Sequence, residues 1–477
     1  MNVTWITVKK TLEFEHRVSN LVPRKGWTSL DNQYKETLDY KPRASNFVPR
    51  KGLWLTGLLF FIALGLELLY IKSYSVSYFI SPDGLHYSNI AENFLQGKGL
   101  VNTANFAQGD DSIVRAVAFT REYIVGPIYP LLLAFIYAMF GLKSYGMVIV
   151  VLHATLGAAS AVLAYKTGEL LFGKGYAWIP YGMTLGYPLF AFWGMYVLTE
   201  VTYVFTITLF LYLLALYAQE VKQPKIITLL LLGAAIGLSN LVRPLLLIYF
   251  PVLGFWILWN HHWRWKAALR DFAIIVMMVV VVMSPWWIRN GMKYHQFIAV
   301  SNYGSYEFYL GNNPLTITDR YFWFTQPSYD PEVKARIEKL PIAEQEKEYK
   351  QLAVSYIVHH PVLFLQRTFA KEKNLFWQPV LPRNNYKVPR VQLDQGYLIL
   401  GLLGGFLSLF SLKKYSFLLL FIVYYSFIVS MITVVSGARY RLPVMPALIL
   451  LGSLVLVTAL KGIIKLSSIN RRTGRRV

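Results

Sequence analysis

A handful of charged side chains stand where this sequence can least afford them. Asp83 follows the first long apolar segment by a few residues. Glu200 opens another, Arg243 splits a third, Arg289 sits just past a fourth, and Arg439 and Arg441 stand close together before the last. A charge at or near membrane depth is costly, so each is a functional candidate. Asp83 is the candidate base; the competing reading is a cap for a helix starting at Gly84. Glu200, as a second acid, can position an acceptor hydroxyl or help hold a divalent cation such as Mg or Mn. A carboxylate in a first helical turn is also what the helix dipole favours. Arg243 is followed by Pro244, which marks a break between two apolar segments. Its guanidinium must either snorkel to the surface or meet an anion, and its planar fork matches phosphate oxygens. Arg439, Arg441 and Arg289 are further anion candidates. His86 lies one helical turn from Asp83 and can tune it or join a metal. Carboxylates and arginines together suit chemistry on a lipid phosphate ester.

The remaining composition narrows the class. The chain has 477 residues, 55% of them hydrophobic, with mean hydropathy +0.41. Many windows of about 20 apolar residues occur, enough to cross a bilayer core of about 30 Å. An all-α polytopic membrane protein follows; a barrel would show weaker, alternating segments. The net charge is +22, which positive-inside bias and anionic lipid contact explain. The basic residues are scattered among the spans, which argues against a nucleic-acid surface. With no cysteine, disulfides, thiolate nucleophiles and cysteine metal sites are excluded. The eight histidines show no zinc-type spacing, and His359 and His360 are adjacent, so they diverge on a helix. No Walker A sequence is present. No cleavable signal peptide is expected, since the first apolar run begins near Leu53.

Along the chain, residues 1–52 form a basic tail with a short repeat, SNLVPRKGW at 19–27 and SNFVPRKGL at 45–53. Its charge places it in the cytoplasm. A transmembrane module spans 53–288 and includes a first outer loop at 74–124. In that loop Leu85, Ile90 and Phe94 have the spacing of one helical face lying on the bilayer. A long polar stretch, 289–392, contains an expected helix at 343–356, an amphipathic one at 362–376, and turns at Pro379, Pro382 and Pro389. Apolar helices fill 393–462, and 463–477 is a basic tail. Lys222, Lys225, the run His261–Lys266 and Lys413–Lys414 read as cytoplasmic. The first loop, Glu200, Arg243 and 289–392 then fall outside. Between Pro127 and Glu200 the crossings must be even in number, yet three apolar segments occur (125–141, 146–166 and 176–195). One of them is therefore re-entrant, interfacial or merged. About 10 to 12 spans are expected.

The order of motifs resembles a known group. Asp83 is followed by GKGL (Gly97–Leu100), GPIYPLLLAFIYAMFG (Gly126–Gly141), LTE (Leu198–Glu200), LVRP (Leu241–Pro244), PWWIRN (Pro285–Asn290), GNNP (Gly311–Pro314) and ARYRLPVMP (Ala438–Pro446). Over roughly 53–460 this resembles the GT-C superfamily of integral membrane glycosyltransferases. It is most similar to the bacterial branch that includes protein O-mannosyltransferase-like proteins and the lipid A aminoarabinose transferase. The resemblance implies a GT-C bundle with an extracytoplasmic first loop and a larger late one. It implies a polyprenyl-phosphate sugar donor and an extracytoplasmic hydroxyl acceptor on a protein, lipid or cell-envelope glycan. It further implies an inverting transfer at the outer face of a bacterial inner membrane. Asp83 matches the first-loop acid, Glu200 the glutamate of the LTE position, and Arg243, Arg439 and Arg441 the basic residues with phosphate roles. Many relatives carry a second acid directly after the first; here Gly84 stands instead. The alternative from another class is a secondary transporter or flippase of lipid-linked or anionic substrates. No internal repeat of the spans supports it, and the charges gather toward one face.

Overall fold

The computed structural model describes residues 50–73, 79–103, 124–317, 329–377, 391–433 and 437–473. The N-terminal repeat and the turns expected at Pro379, Pro382 and Pro389 lie outside them. Residues 54–477 form one compact unit, and 1–53 are grouped separately. The described chain is helical, with one isolated bridge between Phe79 and Tyr196. In order, its helices are α1 Arg50–Lys72, α2 Pro82–Leu95, α3 Ile128–Phe140, α4 Tyr145–Phe172, α5 Trp178–Gly186, α6 Pro188–Gly194, α7 Glu200–Glu220, α8 Ile226–Val242, α9 Phe250–Asn260 and α10 Trp265–Tyr294. Then follow α11 Gly304–Gly311, α12 Pro331–Ile337, α13 Ile342–His359, α14 Pro361–Trp377, α15 Val391–Ser408, α16 Leu412–Ile432 and α17 Met445–Thr473.

Among the described residues, six segments are long and apolar enough to cross a membrane, and three shorter apolar helices (α3, α8 and α9) accompany them. This is a multi-pass membrane protein. One of the six, Leu393–Ile432, holds both α15 and α16, separated by a tight turn at Leu409–Ser411. Of the apolar segments ahead of Glu200, α3 is the candidate for the one expected not to cross. Helix α3 has 13 residues, about 20 Å at 1.5 Å per residue, and it packs chiefly on α2. It lies beside the loop helix, whereas α4 is long and apolar enough to cross. The 176–195 segment is broken at Tyr187–Pro188 into α5 and α6, because Pro188 cannot continue a helix.

The core is built around α7. Glu200, at its start, meets Arg243 just beyond the end of α8, so the two helices run antiparallel. At the other end of α7, Glu220 pairs with Lys225, Tyr217 bonds Asp271, and Lys413 meets His262. The carboxylates and arginines of interest therefore share one end of the bundle, and the lysine-rich turns share the opposite end. Elsewhere helices touch through small residues: a methyl group at Gly404 of α15 would collide with the Leu451 carbonyl of α17. Gly404→Leu is expected to cost about 3 kcal/mol through overpacking. Thermal inactivation in detergent would read this; an unchanged midpoint would mean the two helices are not held this closely.

The first loop is clipped to the bundle beside α7. Phe79 N–H donates to Met195 O at 2.8 Å and Val197 N–H donates to Phe79 O at 3.1 Å. The rings of Phe79 and Tyr196 stack at 4.8 Å. Helix α2 is capped by Ser81, whose hydroxyl accepts from Gly84 N–H at 3.2 Å. Asp83 is thus in the first turn and is not the cap, so its carboxylate is left for other work. Of the three apolar residues expected to face the bilayer, Phe94 and Leu85 are accessible and Ile90 is not. Ile90 is buried with polar His86, Ser88 and Asn93, while Phe94 is exposed and Leu85 half-buried. The buried polar residues are paired, with Ser88 to Glu92 and Asn93 to the Val101 carbonyl, and this lets them face inward.

Candidate active site

Four charged side chains from four separate parts of the sequence meet at one end of the bundle. Glu200 is 1% exposed, and its Oε1 accepts from Arg243 at 2.6 Å and from Arg439 Nε at 2.5 Å. Arg439 also donates through its second arm to Asp83 Oδ2 at 2.9 Å. Arg243 Nε donates to Thr199 Oγ1 at 2.8 Å. The result is an alternating chain, Asp83–Arg439–Glu200–Arg243, with two negative and two positive charges. Burial makes Glu200 dependent on both guanidinium groups, since an uncompensated buried carboxylate is costly. Asp83 is more open: its side chain keeps 36% of its exposure. Its Oδ1 has no partner among the described residues.

Local sequence explains the convergence. Gly437 precedes a single turn, Ala438–Arg441, ahead of α17. Arg439 and Arg441 are two positions apart and therefore diverge. Arg439 enters the site. Arg441 is fully buried elsewhere, bonded to Asp394 and to the carbonyls of Leu375 and Phe376. Tyr187 donates to the same Asp394 at 2.7 Å. Arg441 thus ties α6, α14 and α15 to the turn that carries Arg439. Arg289 lies apart too: it donates to the Leu100 carbonyl at 2.7 Å and covers the rings of Trp286 and Tyr294. It fastens the first loop to α10. His86 is buried and contacts Asn102 through Nδ1 at 2.5 Å.

Arg439 stands between Asp83 and Glu200, and the described residues contain no group of three His, Asp or Glu side chains placed to hold a metal. Gly84 has a steric explanation: a methyl group there would lie 2.7 Å from the Val197 carbonyl oxygen. The clip that brings Asp83 to Glu200 leaves no room for a second acid.

Two charged residues near the site carry no signal in the sequence pattern. Glu307 of α11 is influenced electrostatically by Asp83, Arg439 and Lys371, and burial raises its pKa above the ordinary range. Lys371 of α14 is fully buried and donates to the carbonyls of Thr433 at 2.9 Å and Gly311 at 3.3 Å. Burial, with Arg367 nearby, pushes its pKa down to about 7 against the opposing pull of Glu307. The unfolded chain then binds more protons than the folded one between about pH 10.5 and 7, so stability falls as pH falls through that window and levels off below it. Melting temperature measured against pH should show this slope, and Lys371→Met should flatten it. Identical slopes would mean that Lys371 is not the titrating group.

Comparison with known proteins follows from this geometry. Residues 125–288 match the family described as dolichyl-phosphate-mannose-protein mannosyltransferase. Among solved structures, the chain is similar to the archaeal oligosaccharyltransferase AglB from Archaeoglobus fulgidus, in complex with an inhibitory peptide and a dolichol-phosphate. The identity is 12% and the TM-score 0.55, over 89% of this chain and 52% of that one. The likeness is one of fold. The oligosaccharyltransferase of the same organism, tethered with an acceptor peptide containing the NVT sequon, is similar in fold at 13% identity and TM-score 0.52, over 86% and 50% of the two chains. ArnT from Cupriavidus metallidurans bound to undecaprenyl phosphate aligns more loosely, at 13% identity and TM-score 0.43 over 86% and 79%. The chain spans about half the length of the two archaeal structures. No curated protein matches it.

Proposed function

We propose that this GT-C protein is a membrane glycosyltransferase that moves a sugar from a polyprenyl-phosphate donor to a hydroxyl of an extracytoplasmic acceptor. The observation that carries the reading is the Asp83–Arg439–Glu200–Arg243 chain at one end of the bundle. The family matched over 125–288 is described by a dolichyl-phosphate-mannose donor, and AglB and ArnT were solved with polyprenyl phosphates. Both lend support to a lipid-phosphate donor here. The lysine-rich opposite end supports an outward site by the positive-inside rule, in a bacterial inner membrane.

In this mechanism Asp83 takes the proton of the acceptor hydroxyl through Oδ1 while Arg439 holds Oδ2. The acceptor oxygen forms a bond to the anomeric carbon as the bond from that carbon to the phosphate oxygen breaks. The electron pair leaves with the polyprenyl phosphate, a stable anion that needs no general acid. Arg243 and Arg439 stabilise the growing negative charge. A single displacement inverts the anomeric centre, by analogy with one-step glycosidases. Glu200 holds both guanidinium groups in place. Arg441 acts by seating the turn that carries Arg439, and Arg289 by fixing the loop that carries Asp83.

Arg243→Ala should weaken donor binding by about tenfold or more, and Arg243→Lys by less, because a guanidinium fork grips phosphate at two points. Wild-type donor affinity in both variants would remove the phosphate contact. The function itself is tested by mass spectrometry of envelope glycans and polyprenyl-phosphate sugars in wild-type, deletion and Asp83→Asn-rescued strains. Loss of one sugar from a glycan, with its lipid donor accumulating, is expected. No glycan change in any strain would bring the transporter reading forward.

A further inference from the structure

Between α5, α15 and α17 runs a groove that the transfer mechanism leaves unused. It is lined by Trp178, Gly182, Tyr397, Leu456, Leu460 and Ile463, among others, and has a volume of about 490 Å³. That lies within the range of small-molecule sites, about 300–1,000 Å³. No charged side chain lines it, and none of the four residues of the charge chain borders it. Along α17 its wall extends from Leu456 to Ile463, about 10 Å at 1.5 Å per residue. Gly182 keeps the groove open, since a methyl group there would meet nothing within 4 Å. The groove opens toward lipid, because Trp178 and Ile463 on its two walls are 57% and 62% exposed.

One end of the groove meets positive charge that no acid balances. Lys461, beside Leu460 on α17, lies over the Tyr176 ring at 5.2 Å, and Tyr176 stands two residues ahead of Trp178. This contact joins the two walls where the groove ends. Lys414, at the start of α16, lies over the Tyr415 ring at 5.5 Å. It is half-buried, and it and Lys461 are close enough to repel each other. Neither lysine has an ion pair or a hydrogen bond among the described residues; their contacts are ring faces. Other lysines of this end do have partners, Lys413 with His262 and Lys225 with Glu220. Two like charges held together without a carboxylate are unfavourable, and an anion between them turns repulsion into attraction.

We propose that this groove binds one anionic glycerophospholipid from the leaflet at the lysine-rich end of the bundle. An acyl chain lies along α17 in the groove, and the phosphate sits between Lys461 and Lys414. A free anion would leave the apolar groove unfilled, and an uncharged lipid would leave the two ammonium groups repelling. A zwitterionic headgroup brings its own cation to the lysines and so gains less. An apolar chain and an anionic head on one molecule answer both observations. Lysine suits such a head, because its compact charge meets a phosphate without demanding one fixed geometry. The site is independent of the transferase reading, which assigns the donor phosphate to Arg243 and Arg439 at the opposite end.

The test uses the purified full chain in detergent, with bound lipid counted by native mass spectrometry. Phosphatidylglycerol, phosphatidylcholine with the same acyl chains, undecaprenyl phosphate and glycerol phosphate are titrated separately. Phosphatidylglycerol is expected to bind about 25-fold more tightly than phosphatidylcholine, from about fivefold for each basic residue beside a lipid anion. Lys461→Gln should cut that preference to about fivefold, and Lys461→Gln/Lys414→Gln should abolish it, with phosphatidylcholine binding unchanged as the sign of an intact fold. Lys461→Arg, which keeps the charge, should keep the preference. Gly182→Leu fills the groove and should weaken both phospholipids. Equal affinity for the two phospholipids in the wild type, or a preference that survives the double substitution, overturns the proposal. Glycerol phosphate binding as tightly as phosphatidylglycerol overturns it too, since that leaves an ion site without a lipid. Undecaprenyl phosphate binding more tightly than phosphatidylglycerol through the same lysines would give the groove to a prenyl chain instead.

Discussion

Asp83→Asn is expected to insert and fold like the wild type and to lose about 10²–10⁴ of its turnover. The two side chains have the same shape, and the amide oxygen of Asn can still accept from Arg439, which now holds Asp83 Oδ2 at 2.9 Å. What the amide cannot do is take a proton. The change therefore removes the base while leaving the ion-pair geometry largely in place. The fold should tolerate it because Asp83 lies in the first turn of α2 without being its cap, a task done by Ser81, and because its side chain remains partly open. Asp83→Glu provides the contrast. It keeps the carboxylate but moves it by a methylene toward the acceptor, so it should recover part of the rate. Turnover within a few-fold of wild type in a well-inserted Asp83→Asn would remove Asp83 from the chemistry. Loss of activity accompanied by a large fall in thermal stability would instead assign it a structural task.

How much of this was readable in the sequence depends on which physical rule applied. Charges near membrane depth are costly, and that rule found Asp83, Glu200, Arg243 and Arg439, which the fold joins into one chain. The same rule found Arg441 and Arg289, whose guanidinium groups went to Asp394 and to the Leu100 carbonyl instead. A sequence shows that a charge needs a partner and not which partner it meets. Two arginines two positions apart must diverge, but only the packed helices decide which one turns inward. The even-crossing argument expects one apolar segment ahead of Glu200 not to cross. Choosing α3 required seeing it lie along α2. In α2 the apolar periodicity located Leu85 and Phe94 on an accessible face but not the inward turn of Ile90 beside His86, Ser88 and Asn93, because periodicity of apolar residues does not register a satisfied polar face. Glu67 was within reach of the same cost rule, as the lone carboxylate in the first span. Glu307 gave no comparable sign, because an acid in a polar loop is ordinary.

The second large effect is expected at Glu200. Glu200→Ala should destabilise the protein by about 3–5 kcal/mol, the range for removing one partner from a buried ion pair. Glu200 is 1% exposed and its Oε1 is shared by Arg243 and Arg439, so its loss leaves two guanidinium groups facing each other. Their side chains are 19% and 27% exposed, and partial access to water keeps the cost within that range. Arg439 alone should be less sensitive. Arg439→Ala removes one of two cations from Glu200 and leaves Asp83, which is partly open, to water. The decisive quantity is the coupling between them. If Glu200 serves to hold the arginines, the double variant Glu200→Ala/Arg439→Ala should be more stable than the sum of the single losses predicts, by about 1–3 kcal/mol. Additive losses within about 0.5 kcal/mol would mean that the two residues act independently. The chain from Asp83 to Arg243 would then be a set of neighbours, and the arrangement of the base would not depend on Glu200. Thermal unfolding of the four proteins in one detergent closes the cycle. Donor affinity measured on the same four samples separates lost stability from a misplaced phosphate site.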